Sequence, residues 1–567
     1  MIGLIAVTQA GRRGARRLAD AWPDAYLYEG MASTALPRAF EECQAIVCFL
    51  AVGATVRLIA PLLTGKGEDP GVVCVDEALR YAVPVLGAHR GGGNALAARV
   101  AAALDAEAVI TTGSDAAGTA GLDELGADLG LRIEPGSDLP GVGAAILSGD
   151  RVTLTADQEW PLPALPPNVT RTPHADPPAI VITDRIEVHP GEGTVVYRPP
   201  SLIVGAGASR GVPADEIGLL IDEVLDAQRV SPRSVRAIAT ADVKADEKGL
   251  QAAASERGWP VITFPAAELA RVDVPNPSEA VRRAVGTPSV AEAAPLLAAG
   301  PRAALVAGKR ASEHATVAVA RQGPRGRLAL IGIGPGARDL TAPRAIAELR
   351  KAAVVVGLDY YTGQVADLLR PGTRVLASGL GAERERAAAA VAEAQAGRAV
   401  ALIGSGDAGV YAMASPALEM AGADIDVVVV PGVTAALAAA SVLGAPLGHD
   451  HVMISLSDLH TSWDVIERRV AAAAGGDLVT CFYNPASAKR DWQLRRACEL
   501  LAAHRPPGTP VGWVRDATRP DQAAGLSTLA EFDPALADLH TLVIVGSSRT
   551  RVVAGRMVTP RDYRWSP

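Results

Sequence analysis

Leu328-Ala-Leu-Ile-Gly-Ile-Gly-Pro-Gly-Ala-Arg-Asp-Leu-Thr341 decides how the rest of the chain is read. An apolar run stops at three closely spaced glycines and a proline, and the next residue with helix-capping chemistry is Thr341. That pattern is a buried strand delivering a ligand loop. Glycine lets a ligand approach bare backbone, and Pro335 fixes the loop's shape while removing one donor. Gly332, Gly334 and Ala337 also satisfy G-x-G-x-x-G/A, and Asp359 follows a Val-Val-Val run at roughly the spacing of a ribose-binding acid. One reading is therefore a nicotinamide cofactor. Its pyrophosphate, however, needs a helix that starts inside the motif, and Thr341 places the helix start beyond Arg338 and Asp339.

The same grammar recurs downstream. Ala399-Val-Ala-Leu-Ile403 ends in Gly404-Ser-Gly-Asp-Ala-Gly-Val-Tyr411, and Ile425-Asp-Val-Val-Val-Val430 ends in Pro431-Gly-Val-Thr-Ala-Ala436. Leu478-Val-Thr-Cys-Phe482 runs into Tyr483-Asn-Pro485, and Thr541-Leu-Val-Ile-Val545 into Gly546-Ser-Ser-Arg-Thr550. Taken singly, each loop is ordinary turn chemistry. Together they outline a site assembled from several strand ends.

Upstream the chain again alternates strand and helix. Tyr81-Ala-Val-Pro-Val-Leu86, a helix from Ala95 to Leu104 capped by Asn94, and Ala108-Val-Ile-Thr111 make one βαβ unit. Its two loops, Gly87-Ala-His-Arg-Gly-Gly-Gly-Asn94 and Thr112-Gly-Ser-Asp115, should face one crevice. The glycines entering the helix read as an anion site. Signals weaken between Gly126 and Val196, and no site is expected there. A second α/β region opens at Ser201-Leu-Ile-Val204 and carries Asp242-Val-Lys-Ala-Asp-Glu-Lys248 after the strand Val235 to Ala239. Gln322-Gly-Pro-Arg-Gly-Arg327 reads as a linker.

The totals agree with an α/β, multidomain chain. At 567 residues it is too long for one core, since domains run to roughly 100–200 residues. Scarce aromatics and abundant alanine and glycine suit small helix–sheet contacts. The expected divisions are 1–125, 126–197, 198–321, a linker at 322–327, and 328–567. No charge-free apolar run is long enough to span a membrane, and the first residues read as a strand, so the expected location is cytoplasmic. Cys43, Cys48, Cys74, Cys481 and Cys498 form no C-x-x-C pair and read as buried fillers. A net charge of −8 offers no basic field for nucleic acid, and no metal site is expected.

G-x-G-P-G, G-S-G-D-x-G-V-Y, V-P-G-V-T-A-A, F-Y-N-P and V-G-S-S-R-T, in this order over residues 328–567, resemble the tetrapyrrole methylases. Within that family they are most similar to the precorrin-3B C(17)-methyltransferases of cobalamin biosynthesis. The resemblance implies two α/β subdomains with a donor cleft between them, S-adenosyl-L-methionine as methyl donor, a precorrin or cobalt-precorrin substrate, ring contraction of precorrin-3B to precorrin-4, and a homodimer. It implies donor contacts from Pro335, Ser405, Gly406, Asp407, Thr434 and Ala435, with Tyr483, Asn484 and Gly546 as further wall residues. Asp407 reads equally as a turn aspartate capping its own backbone. His449, His451 and His460 are candidates for an acid or base in the ring contraction, His449 first. Arg384, Arg386, Lys489, Arg490, Arg515 and Arg519 could clamp substrate carboxylates.

The front half, through Ala54 to Pro70, Val75-Asp-Glu-Ala78, Gly87-Ala-His89 and Ile110-Thr-Thr112, resembles the cobalamin-biosynthesis protein G family. Residues 202–321 resemble that family's carboxy-terminal domain. The implied activity is that of a cobalt-precorrin-5A hydrolase, which opens a lactone and releases acetaldehyde. His89 is then the first choice for acid–base work, with Lys66, Lys244 and Glu247 as charged candidates. A corrinoid-binding module without catalysis stands as the alternative.

Overall fold

The computed structural model describes residues 1–65, 68–89, 91–487 and 490–561; Lys66 and Lys489, both named above, lie outside the described residues. The chain divides into two units. One comprises Met1–Gln158, Leu162–Gly323 and Arg370–Gly372, the other Glu159–Pro161, Pro324–Leu369 and Thr373–Pro567.

Strands covered on both faces must be apolar throughout, and in the first unit Ile2–Ala6 and Gly71–Val75 are buried along their whole length. They belong to a six-stranded sheet ordered Ala25–Tyr28, Ile2–Ala6, Ala45–Phe49, Gly71–Val75, Tyr81–Leu86, Glu107–Ala108. The first four are parallel. Tyr81–Leu86 runs against Gly71–Val75, and Glu107–Ala108 follows it in parallel. The predicted βαβ unit therefore exists but is inverted, so its loops open at the opposite rim from those of the first four strands.

Two expectations about that unit fail for one reason: its backbone is too crowded. The helix Gly93–Leu104 is capped by Gly92, at φ 72°, with no side-chain cap, so Asn94 is inside the helix. The N–H groups of Gly92, Gly93 and Asn94 donate to the carbonyls of His89, Gly87 and Ala88, each at 2.8 Å. A Cβ on Gly93 would stand 2.7 Å from the Leu86 carbonyl oxygen. Gly91 and Gly93 serve the close approach of chain to chain, Gly92 serves the left-handed turn, and the expected anion site is occupied by the protein's own carbonyls.

The weakly signalled middle region forms a five-stranded sheet, ordered Arg132–Ile133, Thr194–Arg198, Ala179–Ile182, Val152–Ala156, Val169–Arg171. Its strands are short and separated by prolines, so no window of sequence carries a clear period. A third sheet, ordered Val261–Phe264, Val235–Ala241, Leu202–Ala208, Ala315–Arg321, Ala304–Ala311, completes the unit. The buried Asp184 carboxylate accepts from both Nε and Nη2 of Arg321 at 2.7 Å, the bidentate geometry that makes such pairs specific.

In the second unit, five parallel strands are ordered Arg374–Ser378, Val354–Leu358, Ala399–Gly404, Arg327–Gly332, Asp426–Val430. Because all are parallel, all their carboxyl ends share one rim. A mixed sheet follows, ordered His451–Ser455, Val479–Tyr483, Thr541–Val545, Pro510–Arg515, Ala523–Thr528. Its strands run both ways, which decides below which loops can meet. All five cysteines are free and buried, as fillers should be; burial pushes the Cys481 and Cys498 thiols up to about 12. No helix among the described residues is long and apolar enough to cross a membrane.

Candidate functional site

Three glycine-bearing loops leave the carboxyl rim of the parallel sheet and close on one another. Gly334 and Gly406 exchange N–H···O bonds at 3.1 and 2.8 Å, an antiparallel bridge just beyond the parallel pairing of Arg327–Gly332 and Ala399–Gly404. A Cβ on Gly432 would lie 2.1 Å from the Gly406 carbonyl oxygen, and one on Gly332 would lie 2.6 Å from the same atom. The glycines are therefore required by loop-on-loop packing before any ligand is considered, a correction to the reading of bare backbone offered to a ligand.

Asp407 links two of these loops. Its Oδ1 accepts the Gly409 N–H at 2.8 Å and its Oδ2 the Gly432 N–H at 3.0 Å. The turn-capping role is thus real, and each oxygen keeps a further lone pair. Thr434, buried beside them, shares a 2.6 Å hydrogen bond with the Tyr483 hydroxyl, which also accepts the Ala436 N–H at 2.9 Å. Tyr483 thereby caps the helix Ala435–Leu443 from the mixed sheet. Burial raises its phenol above the usual value, as it does for Tyr411. The Tyr411 ring lies 5.1 Å from that of Tyr483, and its hydroxyl donates to the Met453 carbonyl at 2.8 Å.

Arg519 holds the first glycine loop in place. Its Nε donates to the Pro335 carbonyl at 2.9 Å, its Nη1 pairs with Asp516 at 3.3 Å, and its guanidinium stacks 5.2 Å from the Tyr360 ring centre. A carboxylate clamp needs free N–H groups, and this guanidinium is largely committed.

In the first unit the two loops of the inverted βαβ unit do face one crevice. Nε2 of His89 lies 2.9 Å from Ser114 Oγ, and Nδ1 lies 3.3 Å from Glu124 Oε2. Asn94 Nδ2 donates to Thr112 Oγ1 at 3.0 Å and to Asp115 Oδ2 at 2.9 Å. The hydrogen bond to Glu124 holds the His89 pKa above the ordinary histidine value against partial burial, with the charges of Asp123, Glu124 and Asp115 adding to it.

With both geometries in view, the family comparison is decisive. The tetrapyrrole (corrin/porphyrin) methylase family model matches residues 327–533, and the N-terminal, central and C-terminal models of cobalamin synthesis G match residues 34–115, 120–199 and 202–320. A probable cobalt-factor III C(17)-methyltransferase of Salmonella typhimurium is 47% identical over 239 residues, 42% of this chain and 99% of that protein. The chain belongs to the tetrapyrrole methylases, fused to a cobalamin synthesis G half. A cobalt-precorrin-5A hydrolase of Priestia megaterium is 33% identical over 313 residues, 52% of this chain and 83% of that one. The cobalamin biosynthesis protein CobIJ of Mycobacterium tuberculosis is 44% identical over 248 residues, and the chain spans 48% of its length.

For this tetrapyrrole methylase the strand directions separate the expected residues. Pro335, Ser405, Gly406, Asp407, Thr434 and Ala435 meet at the rim of the parallel sheet, and Tyr483 reaches them from the mixed sheet. Asn484, at φ 49°, follows Tyr483 and donates to Ser455 Oγ at 3.1 Å. Gly546 does not join them: Thr541–Val545 is antiparallel to Val479–Tyr483, with Val545 opposite Thr480, so Gly546 leaves from the far edge. His449 and His451 are excluded likewise, because His451 pairs with Val479 at the start of strands whose ends carry Ser455 and Tyr483. His460 follows Ser455 and is exposed. Arg386 is buried and bonded to Ser378 Oγ and the Gly379 carbonyl, and Arg490 to the carbonyls of Leu456 and Asn484, so neither is a free clamp. Arg384 and Arg515 are exposed.

The nicotinamide alternative meets a topological obstacle. Ala399–Gly404 lies between Arg327–Gly332 and Val354–Leu358, so Asp359 does not follow the neighbouring strand as a ribose acid must. The helix Pro343–Lys351 starts later still than expected, with Thr341 bonded back to the Ile333 carbonyl at 3.2 Å.

In the front half, His89 has both ring nitrogens engaged, by Ser114 and Glu124. Glu247 is buried and accepts the Gly211 N–H at 3.0 Å, and Lys244 ends the turn Asp242–Lys244, so neither is grouped with His89. Sequence reasoning missed Tyr411, although it closes the G-S-G-D-A-G-V-Y motif, and missed Ser114 within Thr112-Gly-Ser-Asp115. Glu124 carried no signal, since nothing local marks a carboxylate that matters through a partner 35 residues away.

Proposed function

We propose that residues 328–567 transfer a methyl group from S-adenosyl-L-methionine to C17 of precorrin-3B or its cobalt-bearing counterpart, with ring contraction. The front half, on the same proposal, opens a cobalt-precorrin-5A lactone with release of acetaldehyde. The observation that carries the first reading is the convergence of the loops bearing Gly334, Asp407 and Thr434 on one carboxyl rim, where open α/β sheets bind ligands.

The residues present suit that donor. Asp407 retains lone pairs for an ammonium or ribose hydroxyl, Ser405 adds a hydroxyl, and the Tyr411 and Tyr483 rings offer π-faces that favour a cation. When bound, the donor supplies an electrophilic methyl on a sulfonium. The protein's part is alignment and exclusion of water, and proximity of this kind is worth up to roughly 7–11 kcal/mol. The attacking carbon belongs to the macrocycle, so no activated side-chain nucleophile is required. His460, beyond the end of His451–Ser455, is the histidine left to assist ring contraction. A homodimer belongs to the same proposal and is checked by light scattering.

The test is incubation of the full chain with methyl-labelled donor and precorrin-3B or its cobalt counterpart. Label in the macrocycle is expected, and no label with either substrate overturns the reading. Acetaldehyde from cobalt-precorrin-5A tests the second half, and its absence there would favour the non-catalytic binding module.

A further inference from the structure

His89 is more than a lone acid–base histidine. A carboxylate can only accept, so the Glu124 contact places the proton on Nδ1 and leaves the lone pair of the neutral ring on Nε2. Ser114, 2.9 Å from Nε2, must then be the donor, with its O–H aimed at a base. This is the order of nucleophile, base and orienting carboxylate found in acyl-transfer relays.

The surroundings keep that order. Asp115 lies 3.8 Å from Nε2, and its Oδ2 is taken by Asn94 Nδ2 and Thr112 Oγ1. It therefore anchors the turn carrying Ser114 and leaves Nε2 to the serine. Gly121 closes on the ring, where a Cβ would stand 3.3 Å from His89 Cε1, and the His89 side chain is only 14% exposed. Asn94 is 9% exposed, and its Oδ1 is buried without a partner among the described residues, although its Nδ2 makes two bonds. A buried acceptor left open on a residue bonded to both flanks of the Ser114 turn points to a hydrogen-bonding ligand.

We propose that Ser114 is the nucleophile of the front half, acting on a lactone or ester carbonyl with His89 as base and Glu124 as the positioning carboxylate. This rests on the hydrolase reading of that half and deepens it. Ser114 Oγ bonds to the acyl carbon as its proton passes to Nε2. The lactone C–O bond then breaks, and the departing oxygen takes that proton, leaving an acyl-serine. Water attacks this ester, gives its proton to Nε2, and the Ser114 oxygen leaves with it, freeing the acid. One water is consumed, and no oxidant or reductant is needed.

The experiment treats the full chain with a fluorophosphonate probe, which loses fluoride on attack by an activated serine, and follows acetaldehyde release from cobalt-precorrin-5A in parallel. A covalent adduct on the peptide containing Ser114 is expected. Ser114→Ala should abolish that adduct and slow acetaldehyde release about a thousandfold. In Glu124→Gln, kcat should fall, and the acid limb of its pH profile should move to lower pH as His89 loses the carboxylate. The charged groups facing the ring among the described residues are Asp115, Asp123 and Glu124. If the wild type releases acetaldehyde but takes no probe at Ser114, or Ser114→Ala stays within threefold of wild type, the nucleophile is water and the proposal is overturned while the hydrolase reading stands. Probe at Ser114 without acetaldehyde supports the relay and overturns that choice of substrate.

Discussion

At the scale of single residues, the hydroxyl of Tyr483 and the carboxylate of Asp407 do most to hold the methylase loops. Tyr483→Phe leaves the Ala436 N–H without its acceptor, and loss of a helix cap costs about 0.5–2 kcal/mol, which a shift of the denaturation midpoint will register. Asp407→Asn keeps the shape but leaves one oxygen for two backbone donors. Lost hydrogen bonds to a charged group are worth about 1.5–3 kcal/mol. The expected result by calorimetry is S-adenosylhomocysteine affinity at least tenfold weaker. His89 gives a pH-dependent prediction. Its folded pKa is raised, so its interaction with Glu124 stabilises the fold fully below about pH 6.5 and is lost as pH rises through the folded value. Stability measured against pH should show that loss in the wild type and a smaller one in Glu124→Gln, where Asp115 and Asp123 remain.

At the scale of elements, the three loops on the parallel rim behave as one object because their backbones touch. Gly432→Ala would force a methyl group to within 2.1 Å of the Gly406 carbonyl oxygen. Such overpacking costs about 1–3 kcal/mol, and the loops should part, so that S-adenosylhomocysteine no longer raises the melting temperature. Gly363→Ala is the control: nothing lies within 4 Å of the added carbon, and the position is inside the helix Asp359–Gln364. Replacing a helical glycine there should be neutral or stabilising by about 0.5–1 kcal/mol. Glycine as a residue type does not distinguish these two positions. What separates them is which other chain lies against each.

At the scale of the whole molecule, the two proposed chemistries fall in separate units. Asp407→Ala should abolish methyl transfer and leave acetaldehyde release unchanged, while His89→Ala should do the reverse. Sites with no shared partners act additively, so a double variant should show the product of the two single effects. Measuring both activities on each variant checks this, and a cross-effect larger than about threefold would mean the units are coupled.

The alternation of apolar runs with glycine loops was enough to establish an α/β, multidomain chain. The ordered motifs at strand ends identified its family, because strand burial and turn chemistry are local properties of sequence. Pro335, Ser405, Asp407 and Thr434 were legible for the same reason, each standing one loop beyond an apolar run. Strand direction was not legible. Period and burial are the same for a strand running either way, so only the hydrogen-bonded sheet could carry Gly546 and His449 to the far edge and bring Tyr483 to Thr434. Nor could local pattern reveal Glu124 beside His89, or that Gly91, Gly93, Gly332 and Gly334 accommodate neighbouring backbone. Those depend on distances between segments remote in sequence, and tertiary packing alone sets them.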